Sequence, residues 1–188
     1  ALENLDGMLF PDHPYGTQTV LGTQEHLKNP SITNIKNYHK TYYVPNNIAI
    51  CLSGDFDPDE MVAVIEKYFG QMQPNKDLPE ITLATSSVIE SPVEKDVYGL
   101  DAENIMIGWK YPGAKSEDAL VAEVAASVLY NGSAGLIDLN INQQQKVLGA
   151  YGMSYGRPDA GEFILMGNPK QGQTLEEVRD ILLAEVAK

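Results

Sequence analysis

Apolar residues recur every three to four positions in four stretches of the chain, which predicts four main helices. Each stretch follows a residue type that commonly caps a helix N-terminus. These capping residues are Ser31, Asp57, Ser116 and Thr174. The helix after Ser116 is rich in Ala and Val and is expected to be well buried. A further helix is predicted over 134–144, and residues 9–29 are expected to be mostly loop with a short helical piece at 24–27.

Shorter apolar runs with period-two alternation predict strands. They cover residues 47–54, 104–111, 147–155 and 162–167. The run at 47–54 lacks charge on both faces, which is typical of a central strand. Arg157-Pro158-Asp159-Ala160-Gly161 separates the last two runs and has the composition of a hairpin turn.

The stretch 71–95 differs in composition from its surroundings. It contains Pro74, Pro79 and Pro92 with Thr and Ser between them. Such a segment is typical of a linker that runs extended along a surface, with an edge strand possible at 81–83. Globular composition returns after residue 95.

The net charge of −13 disfavours nucleic-acid binding, because such a field repels phosphate backbones. No apolar run approaches membrane-spanning length, so membrane insertion is not expected. With a single cysteine, Cys51, no internal disulfide can form; its position in a predicted strand predicts a small buried residue. The N-terminus has no helix cap and the last helix runs to Lys188, so we expect both ends to lie within a longer chain.

No set of residues has the spacing of a complete metal site. The three histidines, His13, His26 and His39, lie thirteen positions apart. Glu25-His26 matches only the end of the inverted zinc motif H-x-x-E-H, because Gly22 stands where its first histidine would be. A surface histidine at a helix start is the better interpretation of His26.

Four acids fall at positions one, three, five and twelve of a calcium loop: Asp55, Asp57, Asp59 and Glu66. The sixth position, where a sharp turn usually needs Gly, is Glu60 beside Pro58. Helix capping explains these acids without a metal.

Two glycine-containing motifs also lack the context that their chemistry needs. Ser133 resembles a nucleophile turn, but Asn131 replaces the first Gly and no strand precedes it. Residues 149–152 do not form a phosphate loop, because no helix N-terminus follows them. We therefore predict no catalytic and no metal-binding residue in this sequence.

One ordered series of motifs is more specific. It comprises Phe10–Gly16 (FPDHPYG), Leu21–Lys28 (LGTQEHLK), Tyr38, Tyr42–Asn47 (YYVPNN), Ser53–Glu60 (SGDFDPDE) and Glu66–Gly70 (EKYFG). In this order and spacing the chain resembles the insulinase–pitrilysin family of zinc metallopeptidases, which includes the mitochondrial processing peptidases. A weaker likeness continues through 104–188, where residues 131–150 and 161–178 resemble the family's bacterial members.

The resemblance implies an α+β fold built from duplicated units, each an antiparallel-rich sheet with packed helices. On that template residues 1–70 are the C-terminal part of a first peptidase-like unit and 71–95 are a linker. Residues 96–188 are then the N-terminal part of a second unit.

The resemblance also implies a mechanism that this sequence does not itself contain. In the family an inverted H-x-x-E-H supplies two zinc ligands and a base, and a later Glu supplies the third ligand. The zinc-bound water then attacks the peptide carbonyl. All these positions precede the segment that matches Ala1 onward, so zinc is expected in the parent protein and none in this fragment. The substrate-binding residues are unknown, and Arg157 and Tyr155 are not assigned that role.

Three functions remain open at this point. The chain is expected to be a structural, non-catalytic portion of a zinc-dependent endopeptidase that hydrolyses peptides in an enclosed chamber. The alternative is part of a catalytically inactive scaffold or partner subunit of the same fold. A calcium-binding or protein-interaction module is a third possibility. For the first two, the implied partners are a peptide substrate of the parent and the remaining units of the same chain or a partner subunit. The resemblance suggests the cell envelope, periplasmic or secreted, as the location.

Overall fold

The computed structural model describes residues 1–80, 82 and 84–188. They divide into two compact units. The larger unit consists of Ala1–Val20 and Leu83–Lys188, and the smaller unit consists of Leu21–Thr82. This division by contacts does not decide the predicted division into 1–70, 71–95 and 96–188, which stays a prediction. The edge strand predicted at 81–83 depends on Ile81 and Leu83, which lie outside the described residues.

The larger unit is built on a three-stranded antiparallel sheet. Its strands are β1 (Ile105–Pro112), β2 (Gly149–Gly156) and β3 (Ala160–Asn168), in the order β1-β3-β2. β3 is central and pairs with both neighbours, for example Leu165 with Ile107 and with Gly152. The three strands predicted over 104–111, 147–155 and 162–167 are thus confirmed, and so is the α+β class.

The two faces of the sheet carry separate hydrophobic clusters, because successive side chains of a strand point to opposite faces. On one face Leu165 packs with Ile137, Val178 and Leu182. On the other face Ile164 packs with residues of the N-terminal segment, among them Leu5, Leu9 and Phe10. The N-terminal segment thus covers one face of the sheet, although the first strand of that sheet begins almost a hundred residues later in the chain.

Three longer helices belong to the larger unit: α1 (Leu2–Leu9), α6 (Glu117–Leu129) and α7 (Leu175–Val186). The short helix α2 (Pro14–Thr17) follows α1. The predicted caps Ser116 and Thr174 are confirmed, since each side chain accepts a backbone N–H from the third residue beyond it. Helix α1, which begins without a side-chain cap, was not predicted, and α2 lies within the stretch 9–29 that was expected to be mostly loop.

Two predictions for the larger unit were wrong in part. The helix expected over 134–144 is reduced to a π-helical turn, Asp138–Asn142, because the loop before it is held by hydrogen bonds to Asp138 rather than by helical ones. Helix α6 is not well buried: Leu120 and Val121 are both 65% exposed. Its apolar residues surround the helix, and the sheet covers only one side.

The smaller unit contains α3 (Gln24–Lys28), α4 (Ile32–Tyr42) and α5 (Pro58–Phe69), with a 3₁₀ turn at Pro45–Asn47. The predicted caps Ser31 and Asp57 are confirmed. The strand predicted at 47–54 is not formed. Ile48 has an extended backbone, but a strand requires a hydrogen-bonded neighbour, and none lies beside it among the described residues. For the same reason Cys51 is exposed rather than buried.

Candidate functional site

The most polar buried region of the larger unit lies where the N-terminal segment meets the turn between β2 and β3. Pro14 begins helix α2 and His13 caps it, which turns the chain sharply after α1. Gly16 is required at this turn, because a Cβ there would lie 2.5 Å from the carbonyl oxygen of Asp6. The fold thereby buries His13, which is only 1% exposed.

His13 links this turn to the hairpin. Its Nδ1 accepts the backbone N–H of Tyr15 at 3.0 Å, so the neutral ring carries its proton on Nε2. Nε2 lies 3.3 Å from a carboxylate oxygen of Asp159. The same oxygen of Asp159 accepts the backbone N–H of Ala84. His13 and Asp159 thus join three separate stretches of the chain.

Arg157 lies next to this pair, at the end of β2, and binds two carboxylates. Its Nη2 is 3.2 Å from Asp6 of α1 and 3.1 Å from Glu162 of β3. The guanidinium also lies over the ring of Tyr15, 4.1 Å from its centroid, and over Tyr155 at 5.7 Å. Arg157 and Tyr155 are therefore close, as their sequence positions suggested, but Arg157 is engaged within the protein.

Glu162 is the least ordinary group of this region. It is 3% exposed and lies within a strand that is otherwise apolar or small. Burial raises the pKa of Glu162 to about 7; a hydrogen bond with Asp6 adds to the rise, and the charge of Arg157 opposes it. Sequence analysis missed this residue, although a single acid inside an apolar strand is a readable signal of a buried carboxyl group.

The acidic and basic groups of this region are paired with one another. Its histidine is buried, and its arginine is neutralised by carboxylates. Among residues 1–80, 82 and 84–188, no three His, Cys, Asp or Glu side chains are grouped so that they could hold a metal ion. The described part of the chain therefore does not fit a zinc site of its own, and the polar region holds chain segments together.

The other candidate residues have structural roles where the structure describes them. His26 completes a capping box with Thr23 at the start of α3, and His39 stacks on Tyr43. Asp57 Oδ1 accepts the backbone N–H groups of Asp59 and Glu60, as capping predicts and calcium binding does not require.

The Ser133 turn is likewise organised by the protein. Ser133 donates its N–H to Asn131 Oδ1. Buried Asp138 accepts the N–H groups of Asn131, Gly132 and Gly135, each at 3.0 Å. Residues 149–152 lie in β2 and form no phosphate loop.

The profile of the family described as "Peptidase M16 inactive domain" matches residues 31–188, most of the chain. The chain belongs to this family. The predicted likeness to zinc metallopeptidases is thereby confirmed. Within the described residues, no helix is of a length and hydropathy that would cross a bilayer.

The chain is similar in sequence to a zinc protease and to a subunit of a processing peptidase. The zinc protease PqqE of Helicobacter pylori is 23% identical over 188 residues, which is 94% of this chain and 41% of that protein. The probable mitochondrial-processing peptidase subunit beta of Schizosaccharomyces pombe is 28% identical over 75 residues, covering 40% of this chain and 16% of that subunit. The chain thus spans about two fifths of the length of its H. pylori relative.

Solved structures share the fold. A protease from H. pylori superposes with a TM-score of 0.72 at 21% identity, covering 96% of this chain and 46% of that one. A chain of complex III from Candida albicans gives 0.70 at 22% identity, with 94% and 43% covered. The first half of the periplasmic protease PqqL from Escherichia coli gives 0.61 at 16% identity, with 97% and 40% covered.

Proposed function

We propose that this chain is a structural, non-catalytic portion of a zinc-dependent endopeptidase that hydrolyses peptides in an enclosed chamber. The strongest support comes from two observations taken together. The chain has the fold and family of peptidase M16 proteins, yet its described residues group no metal ligands. Zinc, the base and the attacking water would all belong to other parts of the parent protein.

The surfaces of the chain support a role in packing against further units. Helix α6 presents a stripe of apolar side chains at helical spacing, and all are more than half exposed: Leu120, Val121, Val124 and Val128. In the smaller unit, Ile35 of α4 is 53% exposed and Val64 of α5 is 45% exposed. Apolar side chains grouped on the exposed side of a helix are typical of surfaces that other protein segments cover. The proposed partners are the remaining units of the same chain or a partner subunit.

The alternative is a catalytically inactive scaffold or partner subunit of the same fold. Nothing in a fold fixes the activity of a protein, and the matched family is itself described as an inactive domain. This alternative shares every structural feature above and differs only in whether the parent carries the zinc motif.

We also propose a location in the cell envelope. One solved structure of the same fold is described as a periplasmic protease. A fractionation of source cells with an antibody against this chain tests it: recovery with periplasmic or secreted proteins supports the proposal, and recovery with cytoplasmic markers overturns it.

The coding sequence upstream of Ala1 tests the main proposal. An in-frame H-x-x-E-H followed by a later Glu is the expected result. If the parent lacks both, the endopeptidase proposal is lost and the scaffold function stands. In a parent that has them, replacing the motif Glu by Gln is expected to abolish peptide hydrolysis while leaving the parent folded.

A further inference from the structure

Two carboxyl groups from distant parts of the chain share one cation. Asp6 lies in α1 and Glu162 in β3, and both contact the same nitrogen, Nη2 of Arg157. The side chains are 19%, 4% and 17% exposed, respectively, for Asp6, Glu162 and Arg157. If both carboxyl groups were ionised, one positive charge would face two negative charges away from bulk water, which is unfavourable.

One carboxyl oxygen at this contact has no hydrogen-bond donor in the described part of the chain, and protonation of that oxygen would let it donate a hydrogen bond instead. Glu162 Oε2 is buried and has no hydrogen-bond partner among the described residues. A carboxylate oxygen can only accept, whereas a protonated Oε2 becomes a donor. Because Asp6 and Glu162 contact the same nitrogen of Arg157, the Asp6 carboxylate lies close enough to Glu162 to be the acceptor of that hydrogen bond. Two carboxyl groups on one guanidinium, with a buried carboxyl oxygen that lacks a donor within the described chain, form an arrangement that a single proton shared by Asp6 and Glu162 would stabilise.

No second cation replaces Arg157 at this contact within the described chain. The remaining titratable side chains of the surrounding elements belong to β1, the α2 segment and the β2–β3 hairpin: Lys110, His13, Tyr15, Tyr155 and Asp159. Lys110 is opposite Glu162 in the ladder, but its ammonium group donates to Ser86 Oγ at 2.9 Å. His13 is directed towards Asp159, and that carboxylate adds further negative charge nearby.

We propose that the Asp6–Glu162 carboxyl pair is a proton-operated latch that fastens helix α1 to the sheet. With the proton in place, the pair and Arg157 hold α1 over β3. Release of the proton leaves two carboxylates competing for one guanidinium, and α1 is loosened. Since α1 also supplies Leu5 and Leu9 to the cluster beneath it, loosening exposes apolar surface of the sheet.

The direction of the pH effect follows from linkage. The pKa of Glu162 is raised from 4.5 to about 7 in the folded protein. A group with a raised folded-state pKa stabilises the fold fully below its unfolded value and loses that contribution as the pH rises through the folded value. The latch is therefore closed near pH 5 and opens progressively as the pH passes 7.

Hydrogen exchange of the α1 amides in the 188-residue chain tests the latch. Protection factors of residues 5–10, corrected for the intrinsic exchange rate, are compared at pH 6 and pH 8. We expect about a tenfold loss of protection at the higher pH, as linkage predicts for this window. Glu162→Gln, which cannot ionise, is expected to remove the loss. Glu103→Gln, at an exposed position before β1, is the matched control and should retain it.

Equal protection of wild-type α1 at both pH values would overturn the proposal, as would an undiminished loss in Glu162→Gln. A titration of the Glu162 side-chain carboxyl carbon by NMR keeps the test independent of that variant's folding. A midpoint near 7 that moves down in Asp6→Asn supports the latch. A midpoint near 4.5 in the wild type contradicts it.

Discussion

The two units of this chain have the same kind of helix caps but differ in how many hydrophobic side chains they bury. Both contain helices with a side-chain N-cap: Ser116 caps α6 in the larger unit, and Asp57 caps α5 in the smaller one. The larger unit buries two hydrophobic clusters. Among the described residues of the smaller unit, Val44 is the single buried hydrophobic residue.

The difference shows that capping and periodicity define a helix, whereas burial requires a partner surface. Helix α5 has an N-cap, a proline at its first position and acids in its first turn, all of which favour a helix locally. Its apolar residues Val64 and Phe69 nevertheless remain 45% and 46% exposed. Most of the stability of a helix in a protein comes from packing, so we expect the smaller unit to be much the less stable.

The largest expected difference comes from truncating one leucine side chain in each unit. Leu165→Ala removes a fully buried side chain from the centre of β3 and is expected to lower the free energy of unfolding by about 2–5 kcal/mol. Leu52→Ala, at a half-exposed position of the smaller unit, is expected to cost less than about 1 kcal/mol. Urea unfolding followed by Trp109 fluorescence, which reports on β1, measures the cost of Leu165→Ala. Hydrogen exchange of the α4 and α5 amides measures the cost of Leu52→Ala in the smaller unit. Equal costs would contradict the comparison.

A second, smaller effect is expected where the chain turns after α1. Gly16→Ala places a Cβ against the backbone of Phe10 and Asp6, which cannot move aside without shifting α1. The cost is expected to be about 1–3 kcal/mol. Gly99→Ala is the matched control, because no atom lies within 4 Å of the added Cβ. Thermal unfolding of both variants should show a lower Tm for Gly16→Ala alone.

Removing a helix cap in each unit tests whether the two units unfold independently. Ser116→Ala is expected to destabilise the larger unit by about 1 kcal/mol, since the cap bond to Ala119 is lost from a helix that packs on the sheet. Asp57→Ala should reduce only the protection of the α5 amides and leave the unfolding of the larger unit unchanged. A shift of the Trp109 transition by Asp57→Ala would show that the two units unfold together.

The smallest expected effect concerns the contact between Asp12 and Ser87. The backbone N–H of Ser87 donates to both carboxylate oxygens of Asp12, which lowers the pKa of that acid. A lowered folded-state pKa stabilises the fold above the unfolded value and loses this contribution as the pH falls below it. Protection of the Ser87 amide is therefore expected to decline below about pH 4. Asp12→Asn should show the weaker protection at every pH.

Sequence reasoning succeeded where the cause is local. The four predicted caps depend on residues three or fewer positions apart, and all four are formed. The antiparallel hairpin of β2 and β3 was also predicted from neighbouring residues, because the composition of the segment 157–161 is typical of a tight turn. The exposure of α6 could not be predicted. Its apolar residues lie all around the helix, so their pattern does not indicate which side packs on the sheet.

The polar region under the N-terminal segment depends on contacts between distant residues. Arg157 and Asp6 are 151 positions apart, and no spacing rule connects them. The motif at 10–16 indicated a resemblance to a family. It did not predict which residues His13 contacts. Glu162 alone carried a local signal, as an acid in an apolar strand.

The most direct test of the account is a combined zinc and peptidase assay on the isolated 188-residue chain. After dialysis against zinc and removal of excess metal, bound zinc is measured by atomic emission and cleavage of a fluorogenic peptide library is followed. We expect zinc far below one equivalent and no turnover. One equivalent of zinc, with peptide cleavage that a chelator abolishes, would contradict the claim that this chain is a non-catalytic portion of the protein.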